Sequence, residues 1–154
     1  MANQVEWMDT ASKKSKSSGV KKVRKKSSKK EEKIQMAVSK YLKKEYPDVV
    51  FVCDFAAGYR VPIWIGSIIK LMRSSSGLPD VIILEPNKSY HGLCIELKRE
   101  DKNPFKKDGG LKSDEHLEKQ YEVLCKLESK GYLARFAVGI EEAKSVIKEY
   151  MSNR

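Results

Sequence analysis

Apolar and polar positions alternate along the chain in two periods, one typical of helices and the other of strands. Ile34, Val38 and Leu42 recur at helical spacing and predict an amphipathic helix that begins near Glu31 and ends before Pro47. Short apolar runs rich in β-branched residues predict strands at residues 49–55, 81–84, 93–98 and 133–138. Two further helices are predicted at about 113–130 and 140–151.

This order of elements predicts an α/β fold with a mixed central sheet flanked by helices. In the helix after residue 113, we expect Ser113 as the N-cap, Tyr121 and Leu124 on the buried stripe, and Gly131 just past the end. Between the first two strands, residues 65–72 predict a short helix that covers the sheet. Trp64 at its start is interpreted as a core residue in preference to a stacking platform for unpaired bases.

Three charged residues adjoin the two most apolar strands. Asp80 precedes one strand, and Glu96 and Lys98 lie near the end of the next. Residues two apart on a strand point to the same face, and a hairpin with its turn at residues 85–92 would bring Asp80 beside the other two. The alternative is that all three are ordinary strand-end charges facing solvent. The apolar flanks favour a site, because a buried charge is costly unless it is paired or metal-bound.

Two carboxylates and one ammonium group at one point are typical of a site for a hard divalent cation. Mg²⁺ (or Mn²⁺) takes oxygen ligands and keeps several waters, and the predicted ligands are Asp80, Glu96 and the peptide carbonyl of Leu97. Such an ion polarises a phosphate and lowers the pKa of a bound water. We expect Lys98 to orient the attacking water or to stabilise the charge that develops on the phosphate.

At these residues the sequence resembles the VRR-NUC family, the virus-type replication-repair nucleases of the PD-(D/E)xK superfamily. Its members are small phage or viral proteins and domains of larger repair enzymes. The first motif corresponds to residues 77–80 and the second to residues 96–98. The resemblance extends over residues 31–150 and implies a PD-(D/E)xK restriction-endonuclease-like core.

The resemblance implies two supporting site residues and a substrate. In the family, a glutamate one helical turn before the glutamine of an Ile-Gln pair contributes to the metal site. This spacing favours Glu31 over Glu32. Both glutamates also suit the first turn of a helix, where the helix dipole favours acidic side chains. A family glutamine in the later helix favours Gln120, with a surface glutamine as the alternative. The family also implies DNA repair, structure-specific cleavage of Holliday-junction, branched or flap DNA, and a possible homodimer.

Composition adds a basic arm to this picture. The net charge is +10, and residues 11–30 hold ten lysines and arginines and no acid, whereas residues 31–154 hold 21 basic and 19 acidic residues. We therefore predict a flexible, disordered basic arm at 1–30, too polar to fold alone, and a nuclease-like domain at 31–154. The arm is interpreted as a tether for polyanions, with a targeting signal as the alternative. The predicted nucleic-acid contacts are Lys21, Lys22, Arg24, Lys25 and Lys26 in the arm, and Lys70 and Arg73 in the domain.

Cysteine usage and hydropathy narrow the expected compartment. Cys53, Cys94 and Cys125 are widely spaced and odd in number, which fits neither a zinc site nor a disulfide framework and indicates a reducing interior. No apolar run approaches the length of a membrane span, and the first residues lack the layout of a secretory signal. We expect an intracellular protein, in a bacterial cytoplasm or in the nucleus of a eukaryotic host.

Together these features predict a Mg²⁺-dependent endodeoxyribonuclease that acts on DNA. Two alternatives stay open. One is a catalytically inactive nucleic-acid-binding protein that keeps a nuclease-like fold. The other is an RNA-directed nuclease, since no feature of the sequence reads a 2′-hydroxyl group.

Overall fold

The computed structural model of the chain describes residues 28–54, 61–75 and 77–154. The elements follow one another as α1 Ser28–Glu45, β1 Phe51–Cys53, α2 Ile63–Met72, β2 Val81–Ile83, β3 Leu93–Lys98, a 3-10 turn Glu100–Lys102, α3 Glu115–Glu128, β4 Leu133–Val138 and α4 Gly139–Ser152. This order confirms the predicted α/β class. Within the described ranges, no helix is both long enough and apolar enough to cross a membrane.

The four strands form one mixed sheet in the order β1-β2-β3-β4. β1 and β2 are antiparallel, β2 and β3 are antiparallel, and β3 and β4 are parallel. The β2–β3 pair, with Val81 opposite Ile95, is the hairpin that the spacing of Asp80 and Glu96 predicts. Strand β3 has a neighbour on each side and is buried over most of its length, which fits its mostly apolar sequence.

Two apolar layers lie on opposite faces of the sheet. Helices α1 and α4 pack on one face, in the core cluster that contains Ile95 and Leu97. Helix α3 packs on the other face, in the cluster that contains Cys94 and Phe136. Because side chains alternate along a strand, Glu96 lies on the same face as Cys94 and therefore points toward α3.

Helix α2 is present, but its surroundings differ from the prediction. None of its residues is buried, and Ile63, Trp64 and Leu71 are 91%, 65% and 87% exposed. The expectation that α2 covers the sheet is therefore wrong, and so is the interpretation of Trp64 as a core residue. The physical reason is that other helices occupy both faces: α1 and α4 cover one, and α3 covers the other.

Several element ends also differ from their predicted positions. Helix α1 begins at Ser28, earlier than the predicted start near Glu31, and residues 1–27 lie outside the described residues, so the flexible arm stays a prediction.

Asp114, not Ser113, caps α3: its Oδ1 accepts a hydrogen bond from the backbone N–H of Leu117 at 2.9 Å. Tyr121 is exposed, because Leu117, Gln120 and Leu124 form the buried stripe. Gly131, with φ of +83°, follows the helix as predicted.

Candidate active site

Asp80 is fixed at the start of β2 by donors from two other elements. Its Oδ1 accepts a hydrogen bond from Gln35 Nε2 of α1 at 2.7 Å, and its Oδ2 accepts one from the backbone N–H of Leu97 in β3 at 2.9 Å. Pro79, directly before it, is fully buried. The Asp80 carboxylate is therefore held against β3, beside the residues of the second motif.

Glu96, Lys98 and Gln120 form a closed triangle of hydrogen bonds. Lys98 Nζ donates to Glu96 Oε1 at 3.0 Å and to Gln120 Oε1 at 2.6 Å, and Gln120 Nε2 donates to Glu96 Oε1. Glu96 and Lys98 thus project to the same face, as the strand period predicts. Glu96 is 3% exposed and Gln120 is 7% exposed. Gln120 is therefore not a surface glutamine but a partner of both motif residues.

Burial raises the pKa values of the two carboxyl groups above their ordinary range. Burial raises the pKa of Asp80 to about 6, although the Leu97 N–H, the Lys98 charge and Gln35 oppose the shift. Burial, and after it the charge of Asp80, raise the pKa of Glu96 to about 8. The charge of Asp80 thus disfavours the ionisation of Glu96, and Lys98 does not offset that charge and the burial together. A bound cation would relieve this repulsion.

A cavity of about 660 Å³ opens at these side chains. Glu31 lines it together with Asp80 and Glu96, whereas Glu32 lines a separate hollow beside β1. Neighbouring residues on a helix point about 100° apart, so only one of the two glutamates can face the site directly. Glu31 has the placement that the resemblance implies, and its part in metal binding stays a prediction.

The donor set fits a cation of the Mg²⁺ type. Among the described residues, no group of three or more His, Cys, Asp or Glu side chains is arranged to hold a metal ion. A cation here would therefore rest mainly on Asp80 and Glu96, which suits Mg²⁺ because it is often held by one or two carboxylates and keeps several waters. The two hydrogen bonds that Lys98 and Gln120 give to Glu96 both reach Oε1, so Oε2 is left to a ligand. Leu97 also lines the cavity, and ligation by its carbonyl stays a prediction.

Two residues near the candidate site were not predicted to take part in it, although Gln35 is the glutamine of the Ile-Gln pair from which Glu31 was located. Gln35 binds Asp80, and it lies one helical turn after Glu31, a spacing that places both on one face of α1. Asp54 follows β1, and its backbone N–H donates to Asp80 O at 2.7 Å. The signal for Asp54 was its position: the end of β1 meets the start of the antiparallel strand β2.

The predicted nucleic-acid contacts are distributed over three places. Arg73 lies beside the site, where its Nη2 forms an ion pair with Asp54 Oδ1 at 2.6 Å. Lys70 is exposed in the last turn of α2. The arm residues Lys21, Lys22, Arg24, Lys25 and Lys26 lie outside the described residues. Nucleic-acid contacts by any of these side chains stay predictions.

Comparison with known proteins identifies the class of domain. No family model and no curated protein matches the chain. A solved structure named "VRR_NUC domain protein" matches it with a TM-score of 0.55 and 25% sequence identity, over 80% of this chain and 88% of that chain. The fold is therefore PD-(D/E)xK-like, and the match supports a nuclease-type domain. It confirms the resemblance to the VRR-NUC family that the motifs at residues 77–80 and 96–98 indicate.

Proposed function

We propose that the chain is a metal-dependent endonuclease that hydrolyses phosphodiester bonds in branched DNA such as Holliday junctions or flaps. One observation carries this proposal. Asp80, directly before β2, and Glu96 of β3 line one cavity, and the ammonium group of Lys98 lies 3.0 Å from Glu96 Oε1. The nuclease-type fold supports the reaction class. The preference for branched DNA rests on the family resemblance.

Each side chain has a distinct part in the proposed reaction. Asp80 and Glu96 would hold Mg²⁺ or Mn²⁺, which when bound supplies a polarised phosphate and a water of lowered pKa. Lys98 would stabilise the negative charge that develops on the phosphate oxygens. Gln120 positions Lys98, because it accepts from Nζ at 2.6 Å while donating to Glu96. Gln35 positions Asp80 through its hydrogen bond to Oδ1.

The test uses labelled junction, flap and linear duplex DNA with and without Mg²⁺. Wild type is compared with Asp80→Ala, Lys98→Ala and the control Glu149→Ala, which changes an exposed glutamate of α4 outside the cavity. We expect the control to cut like wild type, and the two site variants to bind DNA without cutting it. Thermal unfolding verifies that all variants are folded. Cleavage that survives Asp80→Ala would refute the assignment.

The same labelled substrates also distinguish the proposed function from two competing functions. If ribose is substituted into the substrates and the RNA is cut in preference, the RNA-directed alternative is correct. If wild type binds every substrate and cuts none with either Mg²⁺ or Mn²⁺, the chain is an inactive binding protein. The intact Asp80, Glu96 and Lys98 set argues for chemistry, because a pure binding domain gains nothing from two buried carboxylates facing a polyanion.

The possible homodimer is a further part of the proposal. Helix α2 exposes five large apolar side chains, Ile63, Trp64, Ile68, Leu71 and Met72. Exposed apolar patches of this kind mark interaction sites with proteins, and Lys70 is the one charged residue of this helix. A second copy related by a two-fold axis would bring two sites to one substrate. This arrangement suits cleavage of two strands at a junction.

A further inference from the structure

Residues 102–112 form a short hairpin at the rim of the cavity, which we call the basic hairpin. Phe105 and Leu111 pair across it as an antiparallel bridge. The backbone N–H of Lys112 donates to Pro104 O at 2.9 Å. Gly109 lies in the turn with φ of +84°, a conformation that favours glycine. The segment is therefore a built element with its own backbone hydrogen bonds.

The root of the basic hairpin is packed beside the proposed catalytic lysine. Pro104 is fully buried. The Phe105 ring contacts the Phe136 ring edge to face, with the two ring centres 5.8 Å apart. Lys98 Nζ lies 5.5 Å from the centre of the same Phe136 ring. These contacts fix the position of the hairpin relative to the candidate active site. A ligand bound by the hairpin would therefore lie in a defined place relative to Lys98.

The charge of the basic hairpin is strongly asymmetric. It contains four lysines and one aspartate. Lys102 and Lys112 line the site cavity, and Lys106 and Lys107 are exposed toward the turn. The aspartate, Asp108, already accepts a hydrogen bond of 2.9 Å from a backbone N–H of the turn. The hairpin side of the cavity rim is therefore positive, and it lies beside the acidic floor of the cavity.

We propose that the basic hairpin binds the DNA backbone phosphates next to the one that is cut. This inference rests on the proposed function and adds a contact surface to it. The acidic floor can accept only the phosphate that faces a metal ion, and the neighbouring phosphates need protein cations. Lys102 and Lys112 supply them at the cavity wall, and Lys106 and Lys107 supply them further along the strand. Lysine contacts to phosphate set position without reading sequence, which is what structure-directed cutting requires.

The test is a binding titration of the full chain over a range of monovalent salt concentrations, with Ca²⁺ in place of Mg²⁺ so that a cation neutralises the acidic floor while cleavage is suppressed. Lys106→Gln/Lys107→Gln is compared with wild type on junction and linear DNA. Each phosphate contact contributes about 0.9 to the slope of log K against log salt, so the slope should fall by about 1–2. The matched control Lys126→Gln/Lys148→Gln changes two exposed lysines that do not line the cavity and should leave the slope unchanged.

A second measurement locates the contact on the DNA. Single phosphates are replaced by neutral methylphosphonates. Replacements next to the cut should weaken DNA binding by wild type. They should not weaken DNA binding by the Lys106→Gln/Lys107→Gln variant any further. Metal-dependent cleavage by wild type, combined with an unchanged slope in the variant, overturns the hairpin contact and leaves the proposed function standing. Hairpin-dependent binding without cleavage overturns the function and keeps the contact. An equal loss in the control pair shows a diffuse charge effect and also overturns the contact.

Discussion

The Glu96→Gln substitution should weaken an unusual dependence of stability on pH. Glu96 is buried, and burial and the charge of Asp80 raise its pKa from 4.5 to about 8. The folded state therefore holds a proton on this group more tightly than the unfolded state does. The stability that this proton contributes is fully present below about pH 4.5 and is lost as pH rises toward 8.

The size of the effect follows from the shift. Between the unfolded and folded pKa values, each pH unit lowers the free energy of unfolding by up to about 1.4 kcal/mol. From pH 5 to pH 7 the contribution is on the order of 2–3 kcal/mol. Asp80, whose pKa burial raises to about 6, acts in the same direction at lower pH. Gln at position 96 keeps an acceptor for Lys98 and Gln120 but cannot ionise.

The assay is urea unfolding of metal-free wild type and Glu96→Gln at several pH values between 5 and 8.5. We expect the variant to gain stability relative to wild type as pH rises. Mg²⁺ at pH 8 should stabilise wild type, because it binds the two carboxyl groups in their ionised form. It should stabilise the variant much less. Parallel pH profiles for the two proteins would refute the claim that Glu96 is held with a raised pKa.

Three further outcomes follow from the same structure. Gln35→Leu removes a hydrogen bond to a charged acceptor, worth about 1.5–3 kcal/mol. The cleavage rate should therefore fall about tenfold or more, while DNA affinity changes little. Equal losses of rate and affinity would show that Gln35 does not act by positioning Asp80. Leu71→Glu on the exposed face of α2 should convert a dimer to a monomer, as measured by light scattering. Lys70→Glu at the flank of that face should lower the fraction of dimer less. A wild-type protein that is monomeric at high concentration would contradict the dimer. Deletion of residues 1–27 should flatten the salt dependence of DNA binding and leave metal-dependent cutting measurable at low salt, and an unchanged salt dependence would remove the tether.

Local patterns in the sequence were sufficient for much of the fold. The β2–β3 hairpin follows from two apolar runs around a turn-rich segment, and the period of two along β3 places Glu96 and Lys98 on one face. The start of α4 and the position of Gly131 follow from signals within a few residues. In each case the residues that decide the outcome are close together in the chain.

Contacts between distant residues were decided by the tertiary structure. The exposure of α2 depends on which helices already cover the sheet, so Trp64 in its apolar run gave a wrong prediction. Gln35 becomes a partner of Asp80 only because α1 packs across the sheet, and Phe105 meets Phe136 only because β4 pairs in parallel with β3. Periodicity fixes the face on which a side chain lies, whereas its partner depends on sheet order and helix packing. The sequence by itself therefore identified Asp80, Glu96 and Lys98 as candidate site residues. The tertiary structure supplied the burial that shifts the pKa values of the two carboxyl groups and the neighbours that hold all three side chains in place.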